Sequence, residues 1–217
     1  MRNFQGDGRN FPFTMSSSDR VAIFIDGGYI RALLKKYYGS RKIDFLKLSE
    51  ELCGGCERFR TYYYMAPPYQ SQPSTDDENR RKADYDKFTE SLKRLPRFMI
   101  REGYLQKTHL PQCIQCGLVQ TPKCSQCNVD LPVRKFEQKG VDVRLSIDLT
   151  QLSASKRIER AIVLSADGDF APAISQAKEN NIIVTWAYFP QQRSWILDSI
   201  CDERIAIDSE FIDKIAH

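Results

Sequence analysis

The chain is short of long apolar runs, of charge excess and of any glycine-rich phosphate loop, and each shortage excludes something. None of its 217 residues fall in an apolar run approaching the ~20 needed to span a bilayer. The opening MRNFQGDGRN lacks the apolar core of a secretory signal. The expectation is a cytoplasmic protein with no membrane partner. Formal net charge is only +4, from 32 basic and 28 acidic residues. That balance permits a nucleic-acid partner without demanding one. No G-x-G-x-x-G follows the first apolar run, where Asp26-Gly27-Gly28-Tyr29 stands instead. A dinucleotide-binding Rossmann enzyme is therefore the weakest reading, because Asp26 would repel a pyrophosphate. What is present suits a folded domain: 41% apolar and 28% charged residues are ordinary for a globular chain, and this length buries a real core.

Residues 1–19 are rich in Gly, Asn and Ser and read as a flexible tail. Val21–Ile25 is a short apolar run that suits a strand buried on both faces of a parallel sheet. Helical stretches are expected at Tyr29–Tyr38 and Phe45–Leu52, then an aromatic strand at Phe59–Met65. Ser71–Asn79 reads as a polar loop and Arg80–Leu95 as a helix with a stripe of Ala83, Phe88, Leu92 and Leu95. Phe98–Leu105 reads as a third strand. Past an interruption, helices are expected at Val141–Leu152, after Asp169 to about Asn180, at Ser194–Ile200 and at Ser209–Ile215, the last capped by Ser209. Strands are expected at Ala161–Leu164, Ile182–Tyr188 and Arg204–Ile207. Strands alternating with helices imply βαβ units, a mostly parallel sheet and a three-layer α/β/α sandwich. The last strand could leave an edge through which a homodimer forms.

Such sheets bind ligands beyond the carboxyl ends of their strands. Asp26 ends the first strand, and Asp167 and Asp169 follow the Ala161 strand in Ser165-Ala166-Asp167-Gly168-Asp169. If those strands are neighbours, three carboxylates meet in one crevice. Hard oxygen ligands suit Mg²⁺ or Mn²⁺, and such an ion polarises a phosphoryl group and activates water. The bland reading is that each Asp caps a helix or makes a turn, with Asp169 capping the helix after it.

Three segments, Val21-Ala-Ile-Phe-Ile-Asp-Gly-Gly-Tyr29, Lys139-Gly-Val-Asp-Val143 and Val163-Leu-Ser-Ala-Asp-Gly-Asp-Phe170, resemble the motifs of NYN domains, most closely the LabA-like branch. The resemblance spans most of residues 20–208 and takes in Asp198 loosely. It implies a PIN-like, Rossmann-like fold related to FLAP nucleases, over a domain at 20–217, and metal-dependent cleavage of RNA, with DNA as a second eligible polymer. Carried over by position, the acidic set is Asp26, Asp142, Asp167 and Asp169, with Tyr29, Lys139 and Ser165 beside the substrate. Many NYN proteins have Asn where this chain has Tyr29, which would stack on a base or pack against the sheet. Asp148 lies six residues beyond Asp142 on the same helix; that spacing turns it away, toward solvation at the helix surface.

Residues 109–135 form an insert with its own pattern: Cys113-x-x-Cys116, seven residues, then Cys124-x-x-Cys127. Two such knuckles bring four thiolates onto structural Zn²⁺, and the segment is too short to fold without it. Lys123, Arg134 and Lys135 give the insert a basic flank for nucleic acid; a docking point or a stapled surface loop is an equal alternative. Cys53, Cys56 and Cys201 are an incomplete ligand set and read as packed thiols. Among Tyr62, Tyr63 and Tyr64, core packing is favoured over a stacking platform for at least one face. Trp186 reads as core, whereas Trp195 and Arg193 lie in a polar stretch within reach of a substrate. The leading reading is a metal-dependent endoribonuclease; its rival is a non-catalytic nucleic-acid-binding adaptor that keeps the fold.

Overall fold

A computed structural model describes residues 18–107, 115, 118, 123, 125–129 and 136–216. The first strand, β1 (Arg20–Asp26), has both faces buried from Val21 to Ile25, as its unbroken apolar run requires. It is followed by α1 (Gly27–Tyr37), α2 (Phe45–Cys53) and β2 (Glu57–Met65). Next come α3 (Asp76–Lys93), β3 (Phe98–Glu102), β4 (Tyr104–Lys107) and β5 (Phe136–Lys139). The second half adds α4 (Val141–Ala154), β6 (Arg160–Leu164), a 3-10 turn at Gly168–Phe170, α5 (Ala171–Glu179) and β7 (Ile183–Tyr188). It ends with α6 (Trp195–Ile200), β8 (Glu203–Ala206) and α7 (Ser209–Ile215).

Six strands form one parallel sheet in the order β3-β2-β1-β6-β7-β8. The alternation along β1 divides the core in two. Val21, Ile23 and Ile25 pack with Ile30 and Leu33 of α1, Leu48 and Leu52 of α2 and Ile212 of α7. Ala22 and Phe24 pack with Leu145 and Leu149 of α4 and Ile174 of α5. The result is the expected three-layer sandwich. Among the described residues, no helix is long and apolar enough to cross a membrane.

The chain leaves β1 toward β2 and β3 on one side and later returns to build β6, β7 and β8 on the other. The gap between the carboxyl ends of β1 and β6 is therefore the point where strand order reverses, the usual ligand crevice of such sheets.

Several boundaries differ from those expected, each for a local reason. α3 starts within the segment read as loop, because Thr75 and Glu78 form a reciprocal capping box. Ala83 is exposed, and Tyr85, Phe88 and Leu92 make the buried stripe instead. The third strand breaks at Gly103, and β4 turns away to pair antiparallel with β5, a strand that four residues of weak pattern did not signal. That ribbon puts Lys107 opposite Phe136, so the ends of the cysteine insert are held side by side. Asp208, not Ser209, caps α7 by accepting from Phe211 N.

At the amino ends of the strands, opposite the crevice, Arg160 is buried and its guanidinium reaches Asp19 (2.9 Å) and Glu203 (2.6 Å). Nothing in the local pattern of β6 marks that charge as internal.

Candidate active site

Asp26 is the last residue of β1 and the N-cap of α1 at once. Its Oδ1 accepts from Gly28 N (2.9 Å) and Tyr29 N (3.1 Å). Its Oδ2 accepts the Ser165 hydroxyl across the β1–β6 gap (3.0 Å). A carboxylate has about four lone-pair sites on its two oxygens, so the cap leaves acceptor capacity facing the crevice. The sharp exit from strand to helix needs glycine next: a Cβ at Gly27 would lie 2.6 Å from both Tyr63 Cε1 and the Tyr64 carbonyl oxygen.

Asp167 caps the 3-10 turn, its Oδ1 accepting from Asp169 N (2.9 Å). The bland alternative for this turn had Asp169 as the cap; the structure gives a cap to Asp167, and the turn carries Asp169 out to an exposed position. Asp142 stands in the first turn of α4. Gly140 caps that helix with φ 78° and no side-chain bond, a conformation that suits glycine. The helix N-terminus favours an anion there.

Two of the carboxyls, Asp142 and Asp26, are shifted by burial and by their acidic neighbours. Burial raises the Asp142 carboxyl above its ordinary pKa, and the charges of Asp26, Asp167 and Asp169 raise it further. Burial likewise raises Asp26; bonds from Tyr29, Ser165 and Gly28 oppose the shift, and the charge of Asp167 adds to it. Among the described residues, none of the four forms an ion pair with Lys or Arg. Such an all-oxygen, unneutralised set has the chemistry of a divalent-cation site. Among the described residues, however, no three His, Cys, Asp or Glu side chains form a ready-made cage for a metal ion.

The residues expected beside the substrate divide. Tyr29 is buried; its hydroxyl donates to the Gln192 carbonyl (2.9 Å) and accepts from Phe189 N (3.1 Å). Of its two anticipated roles, the structure shows packing. Burial pushes its pKa up to about 12. Ser165 is also fully buried. Its hydroxyl joins Asp26 to the Asp167 backbone N–H (3.2 Å), so it holds the site and does not face a ligand. Lys139 is exposed at the end of β5, three residues before Asp142.

Asp148 is not a solvated surface residue as expected. Arg101 grips it with Nε (2.8 Å) and Nη2 (3.0 Å), and the Tyr64 hydroxyl donates to it (2.9 Å). Asp198 is held by Arg193 and Arg204 and stands outside the acidic set. Tyr62, Tyr63 and Tyr64 are all buried, as is Trp186, while Trp195 is exposed. Cys53, Cys56 and Cys201 are buried, in keeping with packed thiols. Of the four insert cysteines, Cys127 is exposed; Cys113, Cys116 and Cys124 lie outside the described residues, as do Arg134 and Lys135.

The NYN domain model matches residues 20–208. The chain belongs to the NYN family. That membership places it in the PIN-like nuclease superfamily. No curated protein matches the chain. A crystal structure of a protein of unknown function from Vibrio parahaemolyticus superposes with a TM-score of 0.54 at 16% identity, covering 94% of this chain and 100% of the other. That likeness speaks to the fold alone. The NYN match begins at the first residue of β1 and runs past β8, so it embraces every strand that shapes the crevice.

Proposed function

We propose that this NYN protein is a cytoplasmic, divalent-metal-dependent endoribonuclease of the LabA-like branch. The observation that carries the reading is the position of Asp26, Asp142, Asp167 and Asp169. They come from two strand ends and one helix start around the switch point of the sheet, and Asp142 feels the charge of the other three. Those four would hold Mg²⁺ or Mn²⁺, which supplies a Lewis acid for the phosphoryl group and an acidified water. The protein's own part is to fix the carboxylates. Asp26 is locked from both oxygens, Ser165 ties it to the Asp167 backbone, and the α4 N-terminus steadies Asp142. The buried half of the crevice lowers the local dielectric, so charge–charge terms there exceed those in water. The insert cysteines would hold one structural Zn²⁺.

The deciding experiment incubates the purified chain with labelled RNA in Mn²⁺, in Mg²⁺ and in EDTA, beside Asp167→Asn. Cleavage that requires the ion and vanishes in the variant supports the nuclease reading; equal cleavage by the variant sinks it. A second reading, a nucleic-acid-binding adaptor, is favoured by one observation: no three carboxylates of the described residues form a metal cage. RNA binding without cleavage under any ion would select it.

A further inference from the structure

The molecule has a second concave feature on the other face of the sheet. A groove of about 1130 Å³ opens between α1, α2 and α3, larger than the ~300–1,000 Å³ typical of pockets for drug-sized ligands. One end is lined by Gly27 and Gly28, the two residues that follow Asp26, so the groove opens beside the acidic crevice. Its floor includes Phe45, Phe88, Leu92 and Leu95. Its rim carries Arg31, Lys35, Arg41, Lys42 and Arg81 against two carboxylates, Asp44 and Asp84. Asp44 already caps α2 through Leu46 N and Lys47 N. Arg41 and Arg81 pair with Asp213 and Asp77; Arg31, Lys35 and Lys42 are exposed and form no ion pair among the described residues. Gln138 of β5 borders the groove too, which sets the root of the cysteine insert at its edge.

We propose that this groove binds the unpaired flank of a polynucleotide on one side of the phosphate presented to the acidic crevice. The proposal rests on the nuclease reading for its placement relative to a cut, but the binding it claims does not need cleavage. Cations at the rim match a phosphate backbone. An apolar floor with aromatic rings matches base faces, which a single strand exposes and a duplex hides. An acidic or apolar peptide would leave one of those two features unused.

The test is fluorescence anisotropy with a labelled single-stranded oligoribonucleotide in EDTA, so that cleavage cannot intervene. The double variant Arg31→Glu, Lys35→Glu is compared with Lys87→Glu, Arg94→Glu, which makes the same charge change on α3 and its C-cap at side chains that do not line the groove; circular dichroism checks that both fold. The expected result is at least about a tenfold loss of affinity and a shallower salt dependence for the groove variant, with the control within about twofold of wild type. The same sequence as a duplex binds more weakly, and polyphosphate at equal phosphate concentration competes poorly. Equal losses in both variants, equal binding of duplex, full displacement by polyphosphate, or no binding by wild type would each overturn the proposal. So would self-association lost in the groove variant with oligonucleotide affinity intact, which would assign the groove to a second copy. Wild type that binds through the groove yet cleaves nothing in Mn²⁺ would sink the nuclease reading and leave the groove standing.

Discussion

Ser165 donates its hydroxyl hydrogen bond to Oδ2 of Asp26 at 3.0 Å, joining the loop after β6 to the end of β1. The Ser165 hydroxyl oxygen in turn accepts from Asp167 N at 3.2 Å. One buried hydroxyl thus sets the relative position of the two acidic strand ends.

Ser165→Ala should therefore reach both stability and activity. Two buried partners lose a bond, which costs about 1–2 kcal/mol, or roughly 2–8 °C in Tm for a domain of this size. The Ser165 bond holds the Asp26 carboxyl down against its burial. Without it the pKa rises further, and the acid limb of the cleavage rate moves to higher pH. An acid limb that stays in place in the variant would show that Asp26 does not set it.

Asp142→Asn should stabilise the protein in EDTA. The Asp142 pKa is raised in the folded state, so the native chain holds that proton more tightly than the unfolded chain does. Stability is then greatest below the unfolded value of about 3.9 and falls as pH rises through the folded pKa. At neutral pH the charged carboxylate is a liability that asparagine removes. Thermal melts should show a higher Tm for the variant at pH 7 and a vanishing difference near pH 3. Mn²⁺ should raise the Tm of wild type more than that of the variant, because an ion bound only to the native state stabilises it. A variant that melts lower than wild type at pH 7 in EDTA would contradict the repulsion.

Tyr63 carries the one buried side-chain polar atom without a hydrogen-bond partner among the described residues. An orphaned buried hydroxyl is costly, so Tyr63→Phe should stabilise the fold by about 1 kcal/mol. Its ring keeps its edge contacts with Phe45 and Phe88. Denaturant titration reads the change; a loss of stability would mean the hydroxyl has a partner in solution.

Arg101→Ala should cost stability without touching the chemistry. It strips the fork from Asp148, whose side chain is only 12% exposed. Because Arg101 itself is 35% exposed, the loss should be about 2 kcal/mol, below the roughly 3–5 of a fully buried pair. Cleavage per folded molecule should match wild type. A selective loss of rate would bring Asp148 into the catalytic set.

Much of this architecture can be read from periodicity. The buried runs at Val21–Ile25 and Ala161–Leu164 have no polar alternation, so they belong inside a covered sheet; the first runs straight into Asp26 and the second reaches Asp167 three residues past Leu164. The remainder depends on contacts distant in sequence. Nothing around Ser165 reveals that its hydroxyl points at a residue 139 positions away. The six-residue spacing from Asp142 turned Asp148 away from the crevice, but periodicity alone could not supply Arg101 from another strand as its counter-ion. β5 is four residues without a clear alternation, and it becomes a strand only because β4 offers a partner. The groove is invisible for the same reason: its cations are scattered over α1, the α1–α2 loop and α3, and look like ordinary solvated charge until the helices are side by side.

The order of the strands has a consequence for the making of the protein. β1 pairs first with β2, made soon after it, but its other neighbour, β6, is followed by Ser165, 139 residues downstream of Asp26. At about 5–20 residues per second, roughly 7–28 s separate the synthesis of Asp26 from that of its hydrogen-bond partner Ser165. Through that interval the crevice has one wall. On the proposed nuclease reading, the acidic site is therefore incomplete over that stretch of synthesis and cannot yet cut the message being translated.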